Sequence, residues 1–433
     1  MKGSSVSSLV TTQRLTLLSG WRANHRTDLQ GHIEAYGPLP ALGRGWADDF
    51  LRALEEVELA GRGGAGFPAS RKVESARNRD SHPLLVVNAM EGEPASAKDR
   101  VLLSCSPHLV LDGAQLAALA IGAEGITVCV AAGEDDTAAA VATAVRERHV
   151  AAFMPVGVEI VRPSGRYVTG EESALVDWLN RGPGVPAWRP DKTIPLRVRG
   201  RPVIVHNAET LAHMAIVARL GPDAYRAAGR SDTPGTALVT VSGSVEHPGV
   251  YEVSLGTPLE DIVGVARPSD GVRGLLVGGY GGAWIGPENL HTPLAPGPLA
   301  DLGASPGAGV FVVLPVDACP VSEVARIATY MAGQSASQCG PCLFGLPAIA
   351  QDLAALAEAR ADPELIERLR DRLLVIEGRG ACRHPDGVVR MVASGLEVFS
   401  DDVELHMKGR TCSGRGSPSV LVLPNASEVR GGG

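Results

Sequence analysis

The sequence has little of three features that would each point to a class of protein. Its seven cysteines in 433 residues are too few and too scattered for a disulfide scaffold. It has no excess of positive charge: the net charge is −8 and the pI is about 5.8, so nothing suggests nucleic-acid binding. Its most apolar region, residues 108–132, is interrupted by charged residues and glycines, which indicates a buried helix and a strand rather than a membrane span. We therefore expect no signal peptide, no direct membrane span and a soluble cytoplasmic protein.

A glycine-rich stretch with basic neighbours is the most distinctive local pattern. Residues 61–67 read Gly-Arg-Gly-Gly-Ala-Gly-Phe, and glycines leave backbone N–H groups open to a phosphate. Positive charge nearby comes from Arg62, Arg71 and Lys72. The spacing of Gly61, Gly63 and Gly66 matches the dinucleotide fingerprint, but that fingerprint requires a preceding strand. The preceding apolar spacing is helical and Pro68 is typical of a helix start, so we expect helix, glycine loop, helix. A flexible linker is the alternative.

The rest of the pattern predicts an α/β layer, a β module and a helical region. A short strand that begins at residue 84 and strand candidates at 126–131 and 157–162 alternate with helical patterns at 110–121 and 136–147, which argues for a mainly parallel sheet. Alternating β residues after about 236 predict a compact β-grasp module. Residues 321–400 are helical in pattern, with leucines on repeating faces: Leu353, Leu356, Leu365, Leu369 and Leu373. The predicted boundaries are an extension over 1–44 (poorly structured to about 40), domains over 45–235, 236–315 and 316–410, and a tail over 411–433.

Five motifs and a cysteine segment follow one another between about residues 45 and 400. They are residues 61–68, residues 88–94 with Lys98-Asp99-Arg100, residues 170–172, residues 207–210, residues 242–251 and the segment at Cys339. In this order they resemble the NADH-binding flavoprotein subunit of respiratory complex I. The same family includes the diaphorase subunits of NAD-linked hydrogenases and formate dehydrogenases.

The resemblance implies an α/β fold with a Rossmann-like FMN/NADH-binding domain, a β-grasp soluble-ligand-binding domain and a C-terminal helical bundle. It implies an FMN-dependent NADH dehydrogenase (diaphorase) that accepts a hydride from NAD(H). Single electrons would then pass through an iron–sulfur cluster to a ferredoxin-like or multi-subunit redox partner. Hydride transfer between two cofactors needs no acid/base residue, which fits a sequence without an obvious nucleophile–histidine pairing.

Carried over position by position, the resemblance also names site residues. The FMN phosphate and ribityl chain would lie against the glycine loop and a lysine: Gly61, Arg62, Gly63, Gly64, Gly66 and Lys72. The flavin ring would face Asn88 and Glu91, and Asn207 and Thr210 would complete its site. The nicotinamide nucleotide would be bordered by Phe67, Glu93, Tyr167, Gly170, Glu171 and Glu172, with Glu93 and Glu172 as the catalytic residues. From the residues alone, Glu171 and Glu172 are also open to interpretation as a glycosidase-like acid/base pair or as a solvated helix start.

Two departures from the family pattern concern the flavin and the adenine. Met90 stands where the family commonly has an aspartate, and His206 replaces the first of two asparagines. A methionine removes an anion from beside the flavin, so we expect easier flavin reduction than with aspartate. The loop that usually carries an aromatic residue for adenine reads Pro190-Asp191-Lys192-Thr193, with Trp188 as a substitute stacking surface. A basic residue such as Arg189 or Lys192 would favour NADPH.

The third departure concerns the metal ligands. The family holds a 4Fe–4S cluster with Cys-x₂-Cys-x₂-Cys and a fourth cysteine about forty residues later, but the first position here is Ala336. Three ligands remain: Cys339, Cys342 and Cys382. They are enough for a 3Fe–4S cluster, or for a 4Fe–4S cluster with an outside ligand such as His384, Ser335, Cys319 or Cys412. A zinc site, a redox disulfide and the relic of a lost site are alternatives, whereas Cys105 and Cys129 are expected to be inert core thiols.

These departures keep a second interpretation open. The chain could be a degenerate flavin- or nucleotide-binding scaffold that has lost electron transfer. A third relative, the peripheral flavin subunit of Rnf-type complexes, shares the glycine loop and the β-grasp segment. The Glu91-Gly92-Glu93-Pro94 run and the single shortened cysteine set favour the complex I-like branch.

Overall fold

The structure, a computed structural model, describes residues 5–8, 15–77, 82–189, 191, 194–412, 414 and 416–424. Pro190, Lys192 and Thr193, which enter the hypothesis about NADPH, lie outside the described residues, as does the end of the expected tail from 425 onward. Among the helices of the described ranges, none is both long and apolar enough to cross a bilayer.

The N-terminal segment is folded and packs onto two domains. It contains β1 (Ser5–Ser8), α1 (Ser19–Asn24) and α2 (Leu29–Tyr36). Leu17 and Leu18 are fully buried, and their backbone N–H groups donate to the carboxylate of Glu252 at 2.8 and 3.1 Å. The prediction of a poorly structured extension is therefore wrong for residues 15–36. The apolar pattern of this segment is weak because backbone hydrogen bonds to a distant domain hold it, rather than one continuous apolar face.

The next domain is a parallel sheet covered by helices. In chain order its elements are α3 (Trp46–Glu56), α4 (Ala69–Arg77), β2 (Leu84–Ala89), α5 (Lys98–Cys105), α6 (Pro107–Ile121), β3 (Gly125–Val130), α7 (Asp135–Val150), β4 (Val158–Val161), α8 (Glu172–Leu179), β5 (Arg197–Val198), β6 (Arg201–Asn207) and α9 (Ala208–Arg226). The strand order is β4-β3-β2-β6-β5, with β5 alone antiparallel to its neighbour. Helix α6 touches α9 at Gly113, where a Cβ would lie 1.8 Å from the carbonyl oxygen of Leu211, so only glycine permits this packing.

The expectations for this domain are confirmed. The three predicted strands and the two helices between them are present within a few residues of their expected bounds. The glycine stretch connects α3 to α4, so it is a helix–loop–helix and not a strand–turn–helix.

The β-grasp module follows the α/β domain. It contains β7 (Gly229–Arg230), β8 (Thr233–Pro234), β9 (Thr236–Gly243), β10 (Gly249–Ser254), α10 (Leu259–Ala266), β11 (Gly274–Val277), β12 (Ala283–Ile285), α11 (Pro296–Ala300) and β13 (Val310–Leu314). Its mixed sheet runs β1-β10-β9-β13-β11-β12, so the N-terminal strand β1 adds an edge to it. One face of the sheet packs on α10 through Leu259, Ile262 and Val263.

A helical bundle completes the chain. Its helices are α12 (Pro320–Gly333), α13 (Leu346–Ala357), α14 (Leu365–Ile376), α15 (His384–Val398) and α16 (Ser400–Met407), and a π-helical turn over Pro341–Gly345 precedes α13. The predicted leucine face is buried, including Leu353 and Leu369 at 0% exposure. The segment expected to be a tail packs back on the protein as far as it is described: the N–H of Val420 donates to Glu323 at 3.1 Å, and Tyr280 donates to the Val422 carbonyl at 2.7 Å.

Candidate functional site

The carboxyl edge of the parallel sheet has a topological switch point between β2 and β6. The chain runs from β2 through β3 to β4 on one side, and β6 lies on the other side of β2. Asn88 and Asn207 lie at the ends of these two strands and are paired across them. Open α/β sheets bind ligands in the crevice outside such a switch point. The two asparagines predicted for the flavin site therefore lie side by side where a ligand is expected.

The glycine loop lies over this edge. It is closed at its base by a hydrogen bond from the Gly61 N–H to the Phe67 carbonyl at 2.9 Å. A Cβ on Gly63 would approach the Cβ of Asn207 to 3.4 Å, so the loop and the end of β6 are in contact. Gly64 and Gly66 have φ of +97° and +63°, which favour glycine, and the loop surface is exposed. These backbone N–H groups form a cradle of the kind that binds phosphate, and side chains on it would obstruct that approach.

Arg62 and Thr210 hold the loop to the domain. The Arg62 N–H donates to the Thr210 hydroxyl at 2.8 Å, and its guanidinium donates to the Thr236 carbonyl at 3.1 Å. The same guanidinium lies 3.9 Å from the Glu209 carboxylate. Arg62 is thus engaged by the scaffold beneath the loop.

Lys72 lies in α4, the helix that follows the loop. Its ammonium donates to the Glu172 carboxylate at 3.0 Å, which joins α4 to the start of α8, and both side chains are partly exposed. Glu171 caps α8: its carboxylate accepts the N–H groups of Ser173 at 2.9 Å and Ala174 at 3.0 Å. The two adjacent glutamates therefore do different things, one closing a helix end and the other pairing with the loop lysine.

The amides at the switch point are already oriented by the protein. Asn88 donates to the Gly170 carbonyl at 2.9 Å, and Asn207 donates to Asp99 at 2.7 Å while capping α9. The carboxylate of Glu91 is buried and accepts the N–H groups of Asp99 and Arg100 at 3.1 and 3.2 Å. Glu91 thereby stabilises the start of α5.

Lys98, Asp99 and Glu209 belong to the sequence motifs, but the sequence assigned them no role. The Lys98 ammonium is buried and lies 2.8 Å from Asp99 and 2.9 Å from Glu209. Burial alone would favour neutral groups, but Lys98 holds the pKa of Glu209 below its usual range, because its positive charge stabilises the carboxylate. In the sequence, the adjacent Lys98 and Asp99, at the start of α5, are the signal that could have identified this network. The network holds the Asn207 side chain in place, since Asp99 accepts a hydrogen bond from the Asn207 amide.

His206, which precedes Asn207 in β6, is a further buried polar group. It is 4% exposed, and its Nε2 has no hydrogen-bond partner among the described residues. Burial, and next the positive charge of Lys72, lower its pKa to about 3, so the imidazole is neutral.

Glu93 and Tyr167 meet where the α/β domain, the β-grasp module and the bundle join. Glu93 Oε2 accepts the Tyr280 N–H at 2.9 Å and lies 3.3 Å from the Tyr167 hydroxyl, which donates to it. Its Oε1 is buried and has no partner in the described part of the chain. Burial raises the pKa of Glu93 to about 7, against the effect of these hydrogen bonds. The predicted catalytic residue Glu93 is thus protonatable near neutral pH, whereas the other predicted catalytic residue, Glu172, is paired with Lys72.

The predicted metal cysteines come together in the bundle. Cys339 and Cys342 flank the start of the π-helical turn, and Cys382 precedes α15. Burial, and then the neighbouring Cys339 and Cys382, raise the pKa of the Cys342 thiol, whereas the nearby Ser335 lowers it. The sulfurs of these three cysteines are not all within 4.8 Å of one another, so they are grouped less closely than the ligand atoms of a single ion.

His384 stands next to these cysteines with one nitrogen free. Its ring is 9% exposed and lies against Tyr167, with ring centroids 5.4 Å apart. Nε2 is 2.9 Å from the Met331 carbonyl, so it carries the proton, and the buried Nδ1 has no partner among the residues described. Ala336 has no side-chain atom that could bind a metal. His384 lies two residues after Cys382, and its Nδ1 is a buried ligand atom without a partner among the described residues.

The other four cysteines are buried. Cys105 and Cys129 lie in apolar cores as expected, and burial raises the pKa of their thiols to about 11 and about 12. Cys319 and Cys412, considered as outside ligands of the cluster, instead lie next to each other and to His406.

Comparison with known proteins identifies related domains in the same order. Residues 54–216 match the Nuo51 FMN-binding domain, residues 238–267 the SLBB domain and residues 322–406 the NADH-ubiquinone oxidoreductase-F iron–sulfur binding region. The NADH-quinone oxidoreductase F subunit of Streptomyces coelicolor is 30% identical over 378 residues, which cover 84% of each protein. Its counterpart from Aquifex aeolicus is 27% identical over 374 residues, covering 83% of this chain and 86% of the relative. A crystal structure of an NAD+-reducing nickel–iron hydrogenase in its H2-reduced state superposes with a TM-score of 0.81 and 32% identity, covering 93% of this chain and 68% of the other.

Proposed function

Because this chain belongs to the family of NADH-quinone oxidoreductase F subunits, as its motifs predicted, we propose that it oxidises NADH by hydride transfer to FMN and passes single electrons to an iron–sulfur partner. It is an NADH-oxidising oxidoreductase with an FMN-binding domain and an iron–sulfur binding region. The observation that carries the proposal is the glycine cradle at the switch point, in contact with Asn207 and next to Asn88.

The residues at the switch point fit FMN. The N–H groups of Gly63, Gly64 and Gly66 would hold its phosphate, with Lys72 as the nearby cation. Asn88 and Asn207 would orient the ring from the ends of β2 and β6, and the Lys98 network keeps Asn207 in place. FMN, when bound, accepts two electrons as a hydride and releases them one at a time.

The nicotinamide nucleotide would enter over the exposed side of the loop. The Phe67 ring is 54% exposed there and offers a stacking surface. Glu93, Tyr167, Gly170 and Glu172 would border the nucleotide and orient it towards the flavin. Their contribution is positioning and electrostatics, since a hydride passes directly between the two cofactors.

The iron–sulfur site would use Cys339, Cys342 and Cys382. We propose that His384 Nδ1 takes the place of the family's first cysteine, which is Ala336 here, because this nitrogen is buried, unprotonated and without a partner among the described residues. His384 also contacts Tyr167, whose hydroxyl reaches Glu93, so the bundle and the nucleotide side are joined by packed side chains.

Electrons would leave through a surface beside these cysteines. Leu343 and Phe344 follow Cys342 directly and are 48% and 71% exposed, and Leu374 is 71% exposed on α14. Exposed apolar groups beside a redox site favour a protein partner. We propose that an iron–sulfur subunit of a multi-subunit complex docks here. The free thiols of all seven cysteines are typical of a reducing compartment, which supports a cytoplasmic location.

The decisive experiment pairs two glycine variants. Gly66 and Gly122 have nearly equal φ, +63° and +65°, and neither has an atom within 4 Å of an added Cβ. Gly66 lies in the cradle, and Gly122 ends α6 at the opposite edge of the sheet. Both alanine variants should lose about 1 kcal/mol of stability from the left-handed backbone.

Only Gly66→Ala should weaken FMN binding. Alanine keeps its backbone N–H, but its methyl group would hold the phosphate away from the cradle. Losing one hydrogen bond to the charged phosphate in this way costs about 1.5–3 kcal/mol, or roughly a 10- to 100-fold increase in Kd. The flavin spectrum, its bleaching by NADH under anaerobic conditions and ferricyanide reduction measure this. Equal FMN affinity in the two variants, or a wild-type protein that takes up no FMN, would contradict the proposal and favour a scaffold that has lost its activity.

A further inference from the structure

Cys319, His406 and Cys412 form a compact group of ligand atoms away from the cluster cysteines. All three are buried, at 5%, 0% and 5% exposure, and their ligand atoms lie within 4.8 Å of one another. Cys319 directly precedes α12, His406 lies in the last turn of α16, and Cys412 follows that helix. The three side chains thus meet, although they come from the first and the last helical segments of the bundle along the chain.

The imidazole is held in the tautomer that a metal requires. His406 Nδ1 lies 3.0 Å from the Leu356 carbonyl, so Nδ1 carries the proton and Nε2 keeps its lone pair. Nε2 faces the Cys319 sulfur at 3.7 Å, and the Cys412 backbone N–H donates towards it at 3.4 Å. A histidine oriented through a backbone carbonyl is the usual arrangement around a protein-bound metal.

The Cys319 sulfur is surrounded by donors. It accepts the Ser322 hydroxyl at 3.1 Å and the Ser322 N–H at 3.4 Å, and it stands at the start of α12, where the helix dipole favours a negative charge. These contacts would stabilise the negative charge that the Cys319 sulfur carries when it binds a cation.

The distances fit a single tetrahedral ion. Zinc binds sulfur at about 2.3 Å and imidazole nitrogen at about 2.0–2.1 Å, which places the two atoms about 3.6 Å apart. The Cys319 sulfur and His406 Nε2 are 3.7 Å apart. Two thiolates and one imidazole are a set that zinc prefers, whereas magnesium and calcium bind oxygen.

We propose that Cys319, His406 and Cys412 bind one structural zinc ion. Binding releases the two thiol protons to solvent and leaves one tetrahedral position for a water. The ion joins the beginning of the bundle to the segment after its last helix, and the chain it closes includes Cys339, Cys342 and Cys382. It therefore holds together the part of the protein that carries the cluster cysteines.

The test is elemental analysis of the full-length protein purified without chelators and without added metal. We expect about one zinc per chain in addition to iron. X-ray absorption at the zinc edge should show sulfur at about 2.3 Å and nitrogen at about 2.0–2.1 Å, and the flavin does not interfere with that signal. Absence of zinc, a coordination shell without sulfur, or a Cys319–Cys412 disulfide found by thiol alkylation and mass spectrometry would overturn the proposal.

The zinc content of single-residue variants shows where the ion binds. Cys412→Ser and His406→Asn should lose zinc, whereas Cys105→Ser, which changes an equally buried free thiol in another core, should retain it. Cys342→Ser should also retain zinc, which separates this site from zinc bound in place of the iron–sulfur cluster. Zinc retained by both Cys412→Ser and His406→Asn, or lost from Cys342→Ser, would refute the assignment. If a variant does not fold, the zinc content and the X-ray absorption spectrum of the wild-type protein still show whether the zinc site exists.

Discussion

Replacing Glu93 with glutamine should change how the stability of the protein depends on pH. The carboxyl is buried where three domains meet, with Tyr167 and Tyr280 as donors to one oxygen and no partner for the other among the described residues. Burial raises its pKa from 4.5 to about 7. Glutamine has the same shape and still accepts both hydrogen bonds, but it does not titrate.

The direction in which stability changes with pH follows from proton binding. Because the folded-state pKa lies above the unfolded one, the folded protein binds more protons between these two values, and stability is lost as the pH rises through that interval. The difference between about 7 and 4.5 corresponds to about 3 kcal/mol at 1.36 kcal/mol per unit. Glu93→Gln should therefore gain up to about 3 kcal/mol relative to wild type between about pH 5 and about pH 8.

Denaturant unfolding of both proteins across this pH range measures the effect. Infrared spectroscopy of the folded proteins supplies a direct readout, since a buried protonated carboxyl has a carbonyl band that the glutamine variant lacks. Glu260→Gln, at an exposed position, controls for the loss of one carboxyl. Parallel stability profiles for wild type and Glu93→Gln would refute the reasoning.

Three further predictions follow from individual side chains. Met90 directly follows β2, two residues after Asn88, so an ionised carboxylate in Met90→Asp should lower the flavin reduction potential by adding an anion; an unchanged or higher potential in a redox titration rejects this. Trp188 is 72% exposed, and Trp188→Ala should raise KM for NADH with little change in kcat, whereas Trp188→Phe should restore it if the ring stacks on adenine. Asp112 is buried between Arg148 and Arg219, so Asp112→Asn should cost about 3–5 kcal/mol of unfolding free energy. The exposed ion-pair control Asp135→Asn should cost less than about 1 kcal/mol, and equal losses in the two variants would contradict the burial argument.

Local chemistry made much of the architecture predictable from sequence. Helical spacing before the glycine stretch and Pro68 after it predicted a loop between helices, and α3 and α4 are there. The same kind of pattern predicted the parallel strands and the buried leucines of the bundle, because both depend on neighbours within one or two turns. The N-terminal segment was mispredicted because Leu17 and Leu18 are held by Glu252, a residue more than two hundred positions away.

The motifs by themselves determined the family and the set of residues to examine. They could not determine which of those residues face a ligand and which support others, because that depends on contacts between distant parts of the chain. Only the tertiary structure placed Gly63 against Asn207, put Glu91 at the start of α5 and surrounded Lys98 with Asp99 and Glu209. It also brought Cys319 and Cys412 to His406 instead of to Cys339 and Cys342. A side chain's charge and freedom to bind are set by what packs around it, and that packing is decided by the whole fold.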